Sequence, residues 1–159
     1  MPTNESIKVR AVDPDDFKAW LPLWEGYNTF YGRTGSTALA DTITSSTWAR
    51  FFNPMEPIFA LVAEQDNELL GVAHYLFHRS TSLIGPVCYL QDLFTVPKAR
   101  CQGIGNRLIE AVIVQARLAG AERLYWHTQE SNDVARHLYN KIAKHVGFIV
   151  YSLEVGPLT

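Results

Sequence analysis

Two short stretches of this 159-residue chain carry residues in an order that suits chemistry. The first is Arg100-Cys101-Gln102-Gly103-Ile104-Gly105-Asn106, set between a strand-like and a helix-like segment. Gly103 and Gly105 admit backbone conformations that a Cβ opposes, and they let N–H groups come close to an anion. The helix that follows adds its own N–H donors and the positive end of its dipole. Lys98 and Arg100 supply charge, and a guanidinium matches phosphate with paired donors. The stretch reads as a phosphate cradle, or as a Gly-rich turn that starts a helix. A GxxxxGK[ST] string is absent, and a GxGxxG fingerprint fails because Leu108 stands where the third glycine belongs. The second stretch is Tyr89-Leu90-Gln91-Asp92-Leu93-Phe94. A carboxylate inside an apolar strand suits a general base, because burial makes a carboxylate hold a proton more readily. It equally suits a structural aspartate that accepts N–H bonds from a loop.

The elements that must position these groups follow from periodicity. Ile7 to Val12 alternates as a short strand, and Asp13-Pro14-Asp15-Asp16 opens a helix. Phe17, Trp20, Leu21, Trp24 and Tyr27 sit at helical spacing, with a kink or a 3₁₀ link expected at Pro22. A second helix is expected over Ser36 to Phe52, ended by Asn53-Pro54. Ile58 to Ala63 and Leu69 to His78 flank Gln65-Asp66-Asn67 as a hairpin. Val87 to Val96 is a strand, and Gly105 to Ala119 is an amphipathic helix closed by Gly120. Arg123 to Thr128 is a strand, a helix capped at Ser131 or Asn132 runs to Val146, and Phe148 to Val155 is a last strand. The order β-α-α-β-β-β-α-β-α-β implies an α/β chain with a mixed, mostly antiparallel central sheet and helices on both faces.

Composition narrows the classes. The 14 Lys and Arg against 16 Asp and Glu give a formal charge of −2, without the basic field of a nucleic-acid binder. No apolar run is long enough to span a bilayer, and the N-terminus lacks a secretory apolar region. The cytoplasm is therefore the expected compartment. Cys88 and Cys101 make no disulfide framework, and His74, His78, His127, His137 and His145 form no compact ligand motif, so no metal is expected.

The strand ending Leu93-Phe94-Thr95-Val96, followed by R-x-x-G-x-G, resembles the pyrophosphate loop of the GNAT (Gcn5-related N-acetyltransferase) superfamily. Trp126 to Tyr139, with Asn132 and Tyr139 seven residues apart and Gly147-Phe148 beyond, resembles that family's second signature. The element order is similar along nearly the whole chain, which implies a single GNAT domain over residues 1–159. Tyr89 to Val96 and Tyr125-Trp126 look like the polyamine- and histone-acetylating branch.

The resemblance implies an N-acetyltransferase. It would move acetyl from acetyl-CoA, the co-substrate, to a primary amine of a small molecule (polyamine-like or amino-acid-like) or of a protein lysine. Backbone N–H groups of Cys101, Gln102, Gly103, Ile104, Gly105 and Asn106 would cradle the pyrophosphate beside Arg100. Leu93, Phe94 and Thr95 would pair with the pantetheine arm, one N–H polarising the thioester carbonyl. Asn132 would bond the arm. Lys141 or Lys144 would meet a phosphate or lie on a solvated helix face. Tyr139 would be the acid that protonates the leaving thiolate, and Asp92 the base, directly or through water. Glu25, Tyr27, Tyr31, Gln91 and Trp126 would wall the acceptor site. Two departures stand out: polyamine acetylators usually carry Glu where this chain has Gln91, and Cys101 replaces a small loop residue. A non-catalytic acyl-CoA-binding sensor or docking module of the same fold is the alternative, and a nucleotide-binding protein a third. The short end of the sheet suggests an exposed edge and a homodimer.

Overall fold

The computed structural model describes residues 6–158, which form two compact units dividing between His127 and Thr128. The first unit holds strands β1 (Lys8–Ala11), β2 (Ile58–Gln65), β3 (Glu68–His78), β4 (Val87–Thr95) and β5 (Arg123–Tyr125). They lie in the order β1-β2-β3-β4-β5, antiparallel except for the parallel β4–β5 pair. Its helices are α1 (Phe17–Phe30), α2 (Asp41–Arg50) and α3 (Ile104–Leu118).

The entry to α1 is fixed by side chains. Asp13 accepts from the Asp15 N–H at 2.9 Å, and Asp16 accepts from the Asp13 N–H at 2.7 Å. Arg10 on β1 donates to Asp16 at 2.6 Å and to Glu64 on β2 at 2.8 Å, strapping the turn to two strands. That guanidinium holds the Asp16 carboxyl below its ordinary range.

No 3₁₀ link interrupts the helix at Pro22, and α1 runs through it. Pro22 and Lys18 both lie on the exposed side, so the Lys18 carbonyl that Pro22 leaves without a donor faces water. The opposite side buries Trp20, Leu23, Trp24 and Tyr27. The second helix is shorter than expected, because the Ser/Thr-rich lead-in spends its hydroxyls locally. Thr37 Oγ1 bonds the Gly32 carbonyl at 2.6 Å and caps a 3₁₀ turn at Gly35–Thr37.

The β2–β3 hairpin turns on Asp66 and Asn67, with φ of 51° and 63°, the pair of positive angles a tight two-residue turn needs. Helices α1 and α3 cover opposite faces of the sheet. Trp20 of α1 bonds His74, whereas Ile104 and Leu108 of α3 lie over Gly71, at odd spacing on the same strand. A Cβ at Gly71 would stand 2.8 Å from Ile104 Cγ2, so this glycine sets how closely α3 docks. Gly26 does the same for α1, where a Cβ would stand 2.7 Å from the Phe94 ring.

The sheet opens where β4 leaves β5. Their ladder joins only Val87, Cys88 and Tyr89 to Arg123, Leu124 and Tyr125, so β5 is half the expected length. Strand β4 runs on to Thr95, and its edge beyond Tyr89 has no strand on the β5 side among the described residues. Gln91 is the skipped residue of a bulge, since His74 pairs with Asp92 and Tyr75 with Leu90.

The second unit carries α4 (Asp133–Ile142), capped by Asn132, whose side chain accepts from the Ala135 N–H at 3.4 Å. The helix stops at Ala143, which is extended, rather than continuing to Val146. The strand expected over Phe148 to Val155 is not formed; residues 143–158 carry no helix or strand. Alternating side chains define two faces, but a strand also needs a ladder partner.

Candidate active site

Asp92 lies on the α1 face of β4, beside the bulge at Gln91, and is 9% exposed. Its Oδ2 is 2.9 Å from Nδ1 of His74, the facing residue on β3. The other ring nitrogen, Nε2, accepts from the Trp20 indole N–H at 3.0 Å. Indole is a donor only, so Nε2 carries no proton and Nδ1 must. His74 is thus a neutral imidazole that donates to Asp92, and Trp20 fixes that tautomer. The Tyr27 phenol on α1 is pushed well up, by burial first and then by the charge of Asp92. One neutral donor, His74, therefore holds the buried carboxylate, and the Tyr27 phenol stands in its field.

Aromatic rings continue the wall. The Tyr31 phenol is raised by burial and by Asp92, and lowered by Arg33. Tyr89 stacks on Tyr125 with centroids 4.9 Å apart, and its phenol is raised by burial, then by Tyr125 and Asp92. Tyr125 shares a 2.8 Å bond with His78, and Tyr89 a 3.3 Å bond with His127. These rings stand where β4 and β5 part.

The loop after β4 leads into α3. Gly103 is left-handed at φ 79°, with no heavy atom within 4 Å of where a Cβ would stand, and α3 has no side-chain cap. The first helical bond runs from the Arg107 N–H to the Gly103 carbonyl at 3.0 Å, so the N–H groups of Ile104, Gly105 and Asn106 open the helix without intrahelical partners. Gly105 is helical; the second left-handed residue of the loop is Cys101, at φ 61°. This departs from the expectation that both glycines would supply unusual backbone angles. Arg100 Nε donates to the Thr95 carbonyl at 3.1 Å, with its guanidinium over the Phe94 ring. Lys98 pairs with Glu68, Gln102 donates to the Lys98 carbonyl, and Asn106 bonds Glu110.

The first unit therefore brings together Asp92, Tyr27, Gln91 at the bulge, the Leu93-Phe94-Thr95 edge and the loop from Arg100 to Asn106. Glu25 is exposed and forms no ion pair among the described residues. Trp126 is half-buried between Tyr125 and His127, both of which meet Tyr89. Asn132, Tyr139 and Lys141 belong to the second unit: Asn132 caps α4, Tyr139 is half-buried on that helix, and Lys141 is exposed. Sequence reasoning missed His74 as the partner of Asp92, Trp20 as its lock, and Tyr89 beside them. Strand pairing opposite Asp92 was the one signal that could have singled out His74 from five histidines.

The uncapped start of α3, the uncrowded Gly103 and the open β4 edge fit a ligand with an anionic diphosphate and an extended amide arm. The family model for the acetyltransferase (GNAT) family matches residues 20–144. This chain belongs to that family. It is an acetyl-CoA-dependent N-acetyltransferase. The acetyltransferase is 33% identical over 150 residues to the D-amino-acid N-acetyltransferase HPA3 of Saccharomyces cerevisiae, covering 93% of this chain and 91% of the relative. It is 32% identical over 151 residues to the uncharacterized N-acetyltransferase YhfO of Bacillus subtilis, covering 94% and 98%. The fold is shared with the aminoglycoside N-acetyltransferase AAC(6')-Iy solved with CoA, at TM-score 0.77 and 16% identity over 97% of this chain and 98% of that one.

Proposed function

We propose that this acetyltransferase acetylates the amine of a small molecule of amino-acid type, with Asp92 as the base. The observation that carries the reading is the buried Asp92 carboxylate, held by His74 beside the opening between β4 and β5. The relative that acts on D-amino acids supports the acceptor class. The neutral Gln91 at the bulge supports it against a polyamine, because a polycation is drawn by clustered carboxylates.

Acetyl-CoA supplies an activated acetyl thioester. The N–H groups from Cys101 to Asn106 hold its diphosphate, with Arg100 beside them, and the Leu93-Phe94-Thr95 edge pairs with its arm. An N–H of that edge polarises the thioester carbonyl. The acceptor amine loses a proton to Asp92, directly or through one water, and its nitrogen bonds the acetyl carbon as the C–S bond breaks. Tyr139 gives its phenolic proton to the departing sulfur. Asn132 and Lys141 serve the cofactor side, and Tyr27, Gln91 and Trp126 wall the acceptor. Both units act as one GNAT domain, in the cytoplasm and as a homodimer. Light scattering tests that assembly.

The test of the acid is Tyr139→Phe, followed by thiol release from acetyl-CoA with an amino-acid acceptor. Turnover falls by about 10²-fold or more while acetyl-CoA affinity holds. Equal turnover in the two proteins would remove Tyr139 from the chemistry.

A further inference from the structure

Arg33 is held in place more firmly than an exposed arginine needs to be. Helix α1 ends in a turn where Gly32, at φ 74°, sends its N–H to the Thr29 carbonyl and Arg33 sends its own to the Asn28 carbonyl at 2.9 Å. The Arg33 side chain then folds back to the same residue, Nη1 donating to Asn28 Oδ1 at 2.8 Å. Asn28 is buried, and its amide donates to the Trp24 carbonyl at 2.9 Å, which settles which end of the amide meets Arg33. The guanidinium is thereby set 5.9 Å from the Tyr27 ring centroid and 5.7 Å from that of Tyr31. It forms no ion pair among the described residues.

One row of rings links this guanidinium to Asp92: Tyr27 stacks on Trp24 with centroids 6.0 Å apart, Trp24 packs on the His74 ring at 5.5 Å, and His74 bonds Asp92 at 2.9 Å. The Tyr27 and Tyr31 phenols, raised first by burial, are raised further by the charge of Asp92 and lowered by that of Arg33. A carboxylate and a guanidinium on one aromatic wall match a zwitterion: a cationic amine at the one and a carboxylate at the other.

We infer that Arg33 is the carboxylate-binding residue of the acceptor site and makes this acetyltransferase select amines that carry an adjacent carboxylate. The inference rests on the amino-acid reading above and extends it to a residue and a recognition chemistry. A guanidinium that served only to end α1 would give a favourable charge at the helix C-terminus and no substrate preference.

The experiment compares phenylalanine of either hand with the matching phenylalaninamide, which keeps the amine and the ring but lacks the charge. Thiol release from acetyl-CoA is measured for wild type, Arg33→Gln and Arg33→Lys, with melting temperature as the check on folding. Wild type prefers at least one hand of the free amino acid. Arg33→Gln raises its KM by about 10- to 100-fold, the loss of one charged hydrogen-bonded pair, and leaves the amide within about threefold. Arg33→Lys keeps part of the preference. If Arg33→Gln keeps the full preference, or loses both acceptors in parallel, the assignment of Arg33 is overturned while free amino acids remain substrates. If wild type acetylates the amides and no free amino acid, the acceptor reading itself fails and takes the Arg33 assignment with it.

Discussion

At the scale of the residue, the proposed chemistry turns on how a buried carboxylate is kept available as a base. Asp92 faces His74, a neutral donor, and Trp20 decides which nitrogen of His74 carries the proton. A neutral donor leaves the carboxylate's charge in place, whereas an arginine partner would cancel it. On that proposal His74 acts through Asp92, as a positioning residue. His74→Phe keeps an aromatic ring in the slot but removes the donor. Turnover then falls by about tenfold or more while acetyl-CoA affinity and melting temperature stay unchanged. Turnover equal to wild type would show that His74 only fills space.

At the scale of the element, the site depends on how closely two helices approach the sheet. Gly71 lies under the first turn of α3, where a Cβ would also stand 3.2 Å from the Phe94 carbonyl oxygen. Gly71→Ala therefore displaces the start of α3. It costs about 1–3 kcal/mol of stability and weakens acetyl-CoA binding in calorimetry more than it raises the KM of the acceptor. Unaltered binding would mean that α3 tolerates the shift. The turn before α1 makes a separate prediction. Asp16 has its carboxyl depressed by Arg10, so its contribution is present above the ordinary carboxylate range and is lost as pH falls through the depressed value. Asp16→Asn is less stable than wild type by about 1–2 kcal/mol at pH 7. The difference narrows below about pH 4 in denaturant titrations. A difference that stays constant with pH would separate Asp16 from the Arg10 strap. These elements were legible to different degrees. The α3 stripe, the Asp66-Asn67 turn and the Asp13 cap are local signals and lie in the sequence itself. The continuity of α1 through Pro22 depends on which side faces water, and the early end of β5 and the unformed strand at Phe148 depend on ladder partners. Neither is written in a single segment.

At the scale of the whole molecule, the first unit gathers a β4 edge with no strand partner beyond Tyr89 among the described residues, an uncapped helix start and a buried carboxylate on one sheet. The sequence showed the loop and Asp92 because glycine spacing and a misplaced charge are visible one residue at a time. It hid Trp20, His74 and Arg33, whose meaning comes from neighbours 54 positions away in one case and from a helix end in another. The family settles acetyl transfer, and the acceptor chemistry rests on the base. The most direct test is steady-state thiol release from acetyl-CoA with a free amino acid as acceptor, wild type against Asp92→Asn, with acetyl-CoA affinity measured on the same samples. Asp92→Asn is isosteric and still accepts from His74; the account has its turnover fall by about 10²-fold or more with cofactor affinity intact. Turnover within a few-fold of wild type would contradict Asp92 as the base.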